Sequence, residues 1–517
     1  MILFYVVLVV GVLEIGVRIA RAAAPPSHSG WFWRVPDAVT GWSLQPNAQG
    51  RYFAPMYEYD VDVRINSLGL RADEAIGYAK PEDVFRVMVL GDSFIEALQV
   101  KLEESLPQRL GQLYTAQTGR PVEVLNAGVS GWGTDQQLLW LQNEGVKYSP
   151  DLIILAVYPR NDFMNNSEAL EGANQGAIQK PFFEMDSDGL RLNYYPFDPA
   201  NVPAIAQAEA TQASETTEPG SLTALGAWLH DHSALYRYAD PRIRIVAPRV
   251  AASLARTGLI TPGQETKIAA QAADAVPVAY GVYQRTPDET WQAAEAVTAS
   301  LFAAVQRTAT EMGANAAALL IAAPEQVYDE EWQKLLNQYP AMQRWDTDSA
   351  APQQRAATAL TAAGLPVLDL LPLFREQAKG ATPLHYLNDG HWTPQGHDLA
   401  GQATFNFLAD AALLPGVDTM RQPLTVRAEA RTWWEWIVLV VAALIVGSFV
   451  WDIVKTGPTR WLRKAGSGLS TAGELLAYMI RRRQYTLLPL VIILLLFAGL
   501  LILAQASVVG PFIYTLI

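Results

Sequence analysis

Short apolar runs alternate along the chain with longer segments of helical spacing, and this alternation limits the folds open to it. Val87–Leu90 is an apolar run that ends at a glycine, as expected of a strand covered on both faces. Similar runs follow at Val122–Asn126 and Leu152–Val157, with helical segments at Glu103–Gln117 and Gln136–Lys147 between them. Successive strand–helix–strand units predict an α/β fold, a parallel sheet with helices on both faces.

The alternation lapses in the middle of the chain and then returns. From about residue 165 to residue 285 the pattern is irregular and includes a polar tract, Ala204–Gly220, that is typical of a solvated segment. The pattern resumes with a helix, two strands and a closing helix, at Glu289–Met312, Ala316–Ala322, Val367–Leu371 and after Pro394. We therefore predict one α/β domain over residues 25–431 with an insertion at about 165–285.

Three segments have the length of bilayer spans, which need about 20 apolar residues to cross ~30 Å. They are Ile2–Ala24, Trp433–Val454 and Leu487–Ala504. The first also resembles a signal peptide, but it lacks a basic start and holds Glu14 and Arg18 one helical turn apart, which favours an anchor. We predict a transmembrane anchor over residues 1–24 and a membrane module with two spans over residues 432–517.

The loop between the last two spans predicts the orientation of the chain in a cell membrane. It holds one acid, Glu474, against seven basic residues, Lys455, Arg460, Arg463, Lys464, Arg481, Arg482 and Arg483. The positive-inside rule places this loop in the cytoplasm and the α/β domain outside it. Because these basic residues lie near the C-terminus, the domain is more acidic than the net charge of −13 for the whole chain suggests. Such a domain is not expected to bind nucleic acid.

Cysteine is absent from the 517 residues. This excludes a disulfide framework, thiolate catalysis and zinc bound by cysteine. The six histidines leave a short set of candidates for an imidazole base.

The first predicted strand ends in the turn Gly91-Asp92-Ser93, which places a serine at the carboxyl end of the sheet. Ligands of open parallel sheets bind at that end, so this hydroxyl is well placed to act as a nucleophile. Asp and Ser also favour turns and helix caps for structural reasons alone. Acyl chemistry needs a base, an orienting carboxylate and donors for an oxyanion as well.

Three further segments carry those groups. LNDGHWTPQGH, from Leu387 to His397, holds Asp389 and His391 on one turn. NAGVSGWGT follows the second strand, where small residues let a backbone N–H approach a ligand. YPRND follows the third strand and offers the side-chain amide of Asn161.

With these segments in this order, the sequence resembles the SGNH (or GDSL-like) hydrolases, whose four blocks contribute Ser, Gly, Asn and His. The resemblance implies a three-layer parallel sheet and a catalytic set of Ser93 as nucleophile, His391 as base and Asp389 as its orienting acid. It also implies an oxyanion hole formed by the N–H groups of Ser93 and Gly131 and by Asn161. The Asp-x-His spacing is similar to that of the membrane-anchored alginate O-acetylation proteins. Gly128 and His397 stay open as alternative assignments.

The resemblance implies acyl transfer from an ester without a cofactor or metal. Water as the acceptor would make the protein an esterase, and a sugar hydroxyl would make it an O-acyltransferase. The implied substrates are acetyl esters of cell-envelope glycans. The two C-terminal spans exceed what a tether requires, which supports a second hypothesis: a non-catalytic or weakly catalytic subunit that meets a membrane-protein partner through these spans.

Overall fold

The computed structural model describes residues 33–417 apart from gaps at 54–57, 73–75, 176–177, 188, 202–221, 247, 261–275, 381 and 387, with a few positions on either side. The folded unit considered below is Glu14–Ala428. The predicted C-terminal module, the polar tract Ala204–Gly220 and nearly all of the predicted anchor lie outside the described residues. In the part that is described, no helix has the length and apolar character needed to cross a bilayer.

The strands fall into one central sheet and several small ones. In chain order the described strands are β1 (Ser27–His28), β2 (Arg34–Asp37), β3 (Gly41–Leu44), β4 (Gln49–Phe53), β5 (Asp60–Arg64), β6 (Phe85–Gly91), β7 (Val122–Gly128), β8 (Leu152–Val157), β9 (Phe182–Asp186), β10 (Gly189–Asn193), β11 (Asn315–Leu320) and β12 (Val367–Asp369). The central sheet has the order β12-β11-β8-β6-β7, and all its neighbours are parallel. The predicted α/β fold with a parallel sheet is confirmed.

The helices connect these strands and form the outer layers. Those with described bounds are α1 (Ser93–Glu96), α2 (Leu106–Thr118), α3 (Thr134–Asn143), α4 (Pro159–Asn165), α5 (Glu168–Gln175), α6 (Thr223–His232), α7 (Ala234–Val246), α8 (Pro248–Arg256), α9 (Glu289–Glu311), α10 (Pro324–Val327), α11 (Asp329–Gln338), α12 (Ala351–Ala362), α13 (Leu371–Gln377) and α14 (Pro394–Asp410).

Each central strand contributes side chains to two hydrophobic cores, because successive side chains of a strand point to opposite faces of the sheet. In β6, Met88 and Leu90 belong to a core shared with α3, α9 and α12. Val87 and Val89 belong to a second core shared with α2, α13 and α14. The sheet is therefore covered on both faces, which explains why its strands read as continuous apolar runs.

The strand order sets where a ligand would bind. Read from the other edge, the order is β7-β6-β8-β11-β12. From β6 the chain goes first to β7 on one side, and then to β8, β11 and β12 on the other side. The switch point of such a sheet lies between its first and third strands, here β6 and β8, where Leu90 pairs with Leu155. Because both strands end at the same edge, the turn with Ser93 and the helix with Asn161 lie side by side there.

Two predicted helices have different bounds in the structure. The helix predicted at Glu103–Gln117 spans Leu106–Thr118, because Pro107 fits the first helical turn and not the interior. The helix predicted at Gln136–Lys147 spans Thr134–Asn143, and a separate 3-10 turn follows at Gly145–Tyr148. The predicted insertion holds the β9–β10 hairpin and helices α5 to α8 in its described part.

The segment before the central sheet forms small β-ribbons that the sequence reading did not identify. One ribbon has the order β1-β4-β5, and the other pairs β2 with β3. In β5, Val61 and Val63 point inward, and they share a core with Trp132 from the loop after β7. Tyr386, next to the Asp389 turn, packs against the same core. The ribbons therefore lie against two of the loops that carry candidate site residues.

Candidate active site

The nucleophile candidate is held in a tight strand-to-helix turn. β6 ends at Gly91 and α1 begins at Ser93. A Cβ at Gly91 would come within 2.3 Å of the Ile95 side chain, so a residue with a side chain is excluded there without rearrangement. The buried Asp92 carboxylate accepts the N–H of Phe94 at 2.9 Å and caps α1. These contacts fix the turn and leave Ser93 only half-buried.

Ser93 and two side chains that follow it by almost 300 residues form a hydrogen-bonded line at this turn. Nε2 of His391 lies 2.7 Å from Oγ of Ser93. Nδ1 of His391 lies 2.5 Å from Oδ1 of Asp389. The backbone N–H of His391 donates to the same carboxylate oxygen at 3.2 Å, and Gly390 reverses the chain with φ +85°. The short Asp-x-His turn thus allows one carboxylate to orient its neighbour's ring.

The charges in this line favour an ionised acid next to the histidine. Burial lowers the pKa of His391, but the Asp389 carboxylate and its hydrogen bond outweigh burial and raise the pKa overall. Burial raises the pKa of Asp389, but His391, aided by a hydrogen bond from Tyr59, lowers it overall. Asp389 is therefore negatively charged at neutral pH, as the orienting role requires.

The structure excludes His397 as the partner of Ser93. Its side chain is buried at the start of α14, and its Nδ1 accepts the N–H of Leu106 at 3.3 Å. Burial lowers the pKa of His397 to about 3. A neutral, buried imidazole with a backbone partner is a structural residue, so only His391 stays as the candidate base.

The loop after β7 carries the two candidate glycines, and the structure separates them. The N–H of Gly128 donates to Oδ1 of Asn126 at 3.1 Å, and a Cβ there would lie 2.4 Å from the backbone of Glu96. Gly128 is thus a packing glycine. Gly131 has φ +80°, a left-handed conformation that favours glycine. Val129 links this loop to the nucleophile turn, because its N–H donates to the Gly91 carbonyl at 3.2 Å.

Asn161 lies in the first turn of α4, directly after β8. Burial raises the pKa of Asp92 to about 6, and Asn161 is near enough to that carboxylate to oppose the rise. The neighbouring Asp162 accepts the N–H of Tyr158 at 2.6 Å and so fixes the start of the helix. The structure therefore brings Asn161 beside the turn that holds Ser93.

Three supporting residues were missed by the sequence analysis. Glu96 at the end of α1 binds Ser130, and Glu58 and Tyr59 before β5 bind the Asp389 turn. Alternation of apolar and polar residues at Asp60–Arg64 is a signal that could have identified β5. It could not have identified a partner about 330 residues away.

Residues 280–431 match the family described as "SGNH hydrolase-like domain, acetyltransferase AlgX". These residues belong to an SGNH hydrolase-like domain. This confirms the resemblance inferred from the motifs and supports the predicted class of enzyme, an ester hydrolase or acetyltransferase. The matched range contains Asp389 and His391, while Ser93, Gly131 and Asn161 precede it. Residues 469–517 match a family of unknown function, DUF5989.

Several solved structures are similar to the domain. A two-domain esterase (CEX) active on acetylated mannans is 10% identical over 66% of this chain and 53% of its own, about half its length, with a TM-score of 0.30. The acetyl xylan esterase AlAXEase is 10% identical over 62% and 98%, with a TM-score of 0.28. A lipase/acylhydrolase from Enterococcus faecalis is 12% identical over 63% and 95%, with a TM-score of 0.26. Similarity this distant carries no argument about function. Among curated proteins, none matches the sequence.

Proposed function

We propose that this protein is a membrane-anchored serine ester hydrolase or O-acyltransferase that acts on acetyl esters of cell-envelope glycans. The observation that carries the proposal is the hydrogen-bonded line from Ser93 through His391 to Asp389. A serine hydroxyl with a base in contact and a carboxylate behind the base is the arrangement that activates an oxygen nucleophile.

In the proposed reaction, Nε2 of His391 takes the proton of Ser93 while Oγ attacks the ester carbonyl. The tetrahedral intermediate collapses when the C–O bond to the leaving alcohol breaks and His391 returns the proton to that alcohol. The acyl group is then bonded to Ser93. A water or sugar hydroxyl, deprotonated by His391, then attacks the carbonyl of the acyl-enzyme. The C–O bond to Ser93 breaks, and His391 returns the proton to Oγ.

The oxyanion formed in each step needs donors near Ser93. We assign this role to the N–H groups of Ser93 and Gly131 and to the amide of Asn161. Support comes from the N–H of Val129, which donates to the Gly91 carbonyl and so ties the β7 loop to the turn with Ser93, and from Asn161, which lies near Asp92 of that turn. One such donor typically contributes ~3 kcal/mol to the transition state.

The family match supports the acetyl group as the acyl group, because the description of that family names an acetyltransferase. Glycan esters of the cell envelope follow from the proposed location of the domain outside the membrane. That location rests on the three apolar segments and the basic loop of the sequence. A membrane-protein partner at the C-terminal segments belongs to the same proposal.

Labelling of the purified full chain with a fluorophosphonate serine probe tests the enzymatic part. Wild type should label and should hydrolyse a small acetyl ester, and Ser93→Ala should do neither. Ser300→Ala is a matched control that keeps the nucleophile, because the Ser300 hydroxyl donates only to the Ala296 carbonyl of α9 among the described contacts. Acetyl transfer to added oligosaccharides, measured by mass spectrometry, would separate a transferase from an esterase. If the wild-type chain neither labels nor hydrolyses ester, the enzyme hypothesis is wrong, and the alternative of a non-catalytic subunit of a membrane assembly takes its place.

The location is tested by cysteines introduced one at a time into this cysteine-free chain. Ser214→Cys should react in intact cells with a membrane-impermeant thiol reagent, and Ser467→Cys should react only after the cells are lysed. The reverse result would place the α/β domain in the cytoplasm and contradict the envelope substrate.

A further inference from the structure

We propose that Tyr59 is a positioning residue for the triad: its hydroxyl holds the second oxygen of Asp389 and thereby sets the orientation and basicity of His391. This inference rests on the proposed function. It adds the N-terminal β-ribbon to the catalytic machinery, although the ribbon lies more than 300 residues from Asp389 in sequence.

The main contact is a short hydrogen bond to the carboxylate. Oδ1 of Asp389 faces the ring of His391, and Oδ2 accepts the hydroxyl of Tyr59 at 2.8 Å. The two oxygens thus have different partners, and the carboxylate cannot rotate without losing one of them. Tyr59 is only 8% exposed, so water does not readily replace its hydroxyl.

The hydroxyl is itself held in place by aromatic packing. The Tyr59 ring stacks on Tyr52 with centroids 5.4 Å apart and meets the edge of Tyr386 at 5.2 Å. Tyr386 belongs to the turn of the triad, because its N–H donates to the carbonyl of His391 at 2.8 Å. Removal of the hydroxyl alone would leave this packing in place.

Glu58 makes a second connection from the same segment. Its carboxylate accepts the backbone N–H of Asn388 at 2.9 Å and that of Asp389 at 3.2 Å. Two consecutive residues of the ribbon therefore hold both the backbone and the side chain of the acid. This arrangement supports the short Asp-x-His turn, which is only half-buried and directly follows the exposed Asn388.

The direction of the effect on His391 follows from charge. A donor on Oδ2 spreads the negative charge of Asp389 and weakens the attraction of that carboxylate for a protonated imidazole. Loss of the donor should therefore raise the pKa of His391. Tyr59→Phe leaves the other titratable groups near His391 and Asp389 unchanged. Asp389, Asp92 and Glu96 act on His391, with His385 and His397 further away, and Tyr52 and Glu58 lie near Asp389.

The test is a titration of His391 by NMR in the full chain, with the signal assigned from His391→Gln. Tyr59→Phe should raise the pKa of His391 and slow fluorophosphonate labelling of Ser93 about tenfold, the usual size for one hydrogen bond to a charged group. Tyr114→Phe is the matched control, since it removes a buried hydroxyl that donates to the Pro415 carbonyl at 2.9 Å, away from the site. In an Asp389→Asn background, Tyr59→Phe should have no further effect on His391.

A second measurement changes the donor in the opposite direction. Fluorotyrosine at position 59 keeps the ring and strengthens the donor, so the pKa of His391 should fall, and this variant serves if Tyr59→Phe does not fold. An unchanged His391 pKa in the folded variants would overturn the positioning role. The NMR titration does not require turnover. A wild-type chain that does not react with the probe would therefore count against the proposed function, while the titration would still decide the role of Tyr59.

Discussion

The carboxylate of Glu96 accepts two hydrogen bonds from Ser130, one from its backbone N–H at 2.6 Å and one from its hydroxyl. Glu96 is the last residue of the short helix that begins at Ser93, and Ser130 directly precedes Gly131. One buried side chain therefore links the turn of the nucleophile to the loop of the proposed oxyanion donor.

Glu96→Ala should slow labelling of Ser93 about 10- to 100-fold, because two hydrogen bonds to a charged group are lost and the β7 loop is released. Glu96→Gln keeps one acceptor and should cost less. Glu103→Ala, which removes an exposed carboxylate from the 3-10 turn Leu102–Glu104, is the control and should label at the wild-type rate. Equal labelling by Glu96→Ala and wild type would show that the link has no role in the site.

Asn161→Ala should lower kcat for an acetyl ester by about 10² to 10³ with little change in KM, because an oxyanion donor acts chiefly on charge that develops in the transition state. Asn143→Ala is a suitable control, since the Asn143 amide donates to the helix carbonyl of Leu139 at 2.8 Å and accepts the exposed Tyr195 hydroxyl at 3.4 Å. A loss confined to KM would assign Asn161 to substrate binding and remove it from the oxyanion hole.

The rate of Ser93 labelling should fall as the pH is lowered, and the midpoint of this fall should lie above the ordinary histidine pKa of 6.5. The pKa of His391 is raised, and a histidine protonated below that pKa cannot accept the serine proton. Asp389→Asn removes the carboxylate that raises this pKa, so the midpoint of the fall should move to lower pH. Its maximal rate should also drop severely, because the amide favours the wrong tautomer of the imidazole. A midpoint well below pH 6 for the wild type would contradict the raised pKa of His391.

The buried His397 should weaken the fold in acid. Burial lowers its pKa to about 3, so between about pH 6.5 and pH 3 the unfolded chain binds a proton that the folded chain does not. The free energy of unfolding therefore falls as pH drops through that window, by about 2 kcal/mol at pH 5 for this one group. His397→Gln should lose correspondingly less stability than wild type between pH 7 and pH 5 in denaturant titrations. Parallel losses in the two proteins would show that His397 takes no part.

A buried ion pair joins the insertion to the rest of the domain. Lys180 and Asp135 are at most 1% exposed, and the ammonium donates to Oδ2 of the carboxylate. Lys180→Met should lower the free energy of unfolding by about 3 to 5 kcal/mol, because Asp135 is left buried and unpaired. Adding Asp135→Asn should recover much of that loss. A cost below about 1 kcal/mol for Lys180→Met would mean that Asp135 is neutral in the folded chain.

The sequence by itself determined the layered α/β architecture, because strand and helix periodicity and turn chemistry are local properties. Val87–Leu90 and Leu152–Val157 read as covered strands, and they are neighbours in the sheet. The turn with Ser93 and the helix start with Asn161 were placed at strand ends for the same local reason. Their catalytic roles stay predictions.

Only the tertiary structure decided which of two histidines meets Ser93. His391 and His397 share one motif, and the five residues between them give no local signal of which one faces the serine. The choice depends on how the turn before α14 packs against the carboxyl edge of the sheet. His391 reaches Ser93, while the first turn of α14 directs His397 into the core against Leu106.

The same holds for Tyr59 and Asp389, whose hydrogen bond joins two segments 330 residues apart. A local pattern can predict that Asp60–Arg64 is a strand, but the sheet it enters and the loop it covers depend on long-range packing. Hydrogen bonds across such distances are set by the whole fold, and for this reason the groups that support the candidate site became visible only in three dimensions.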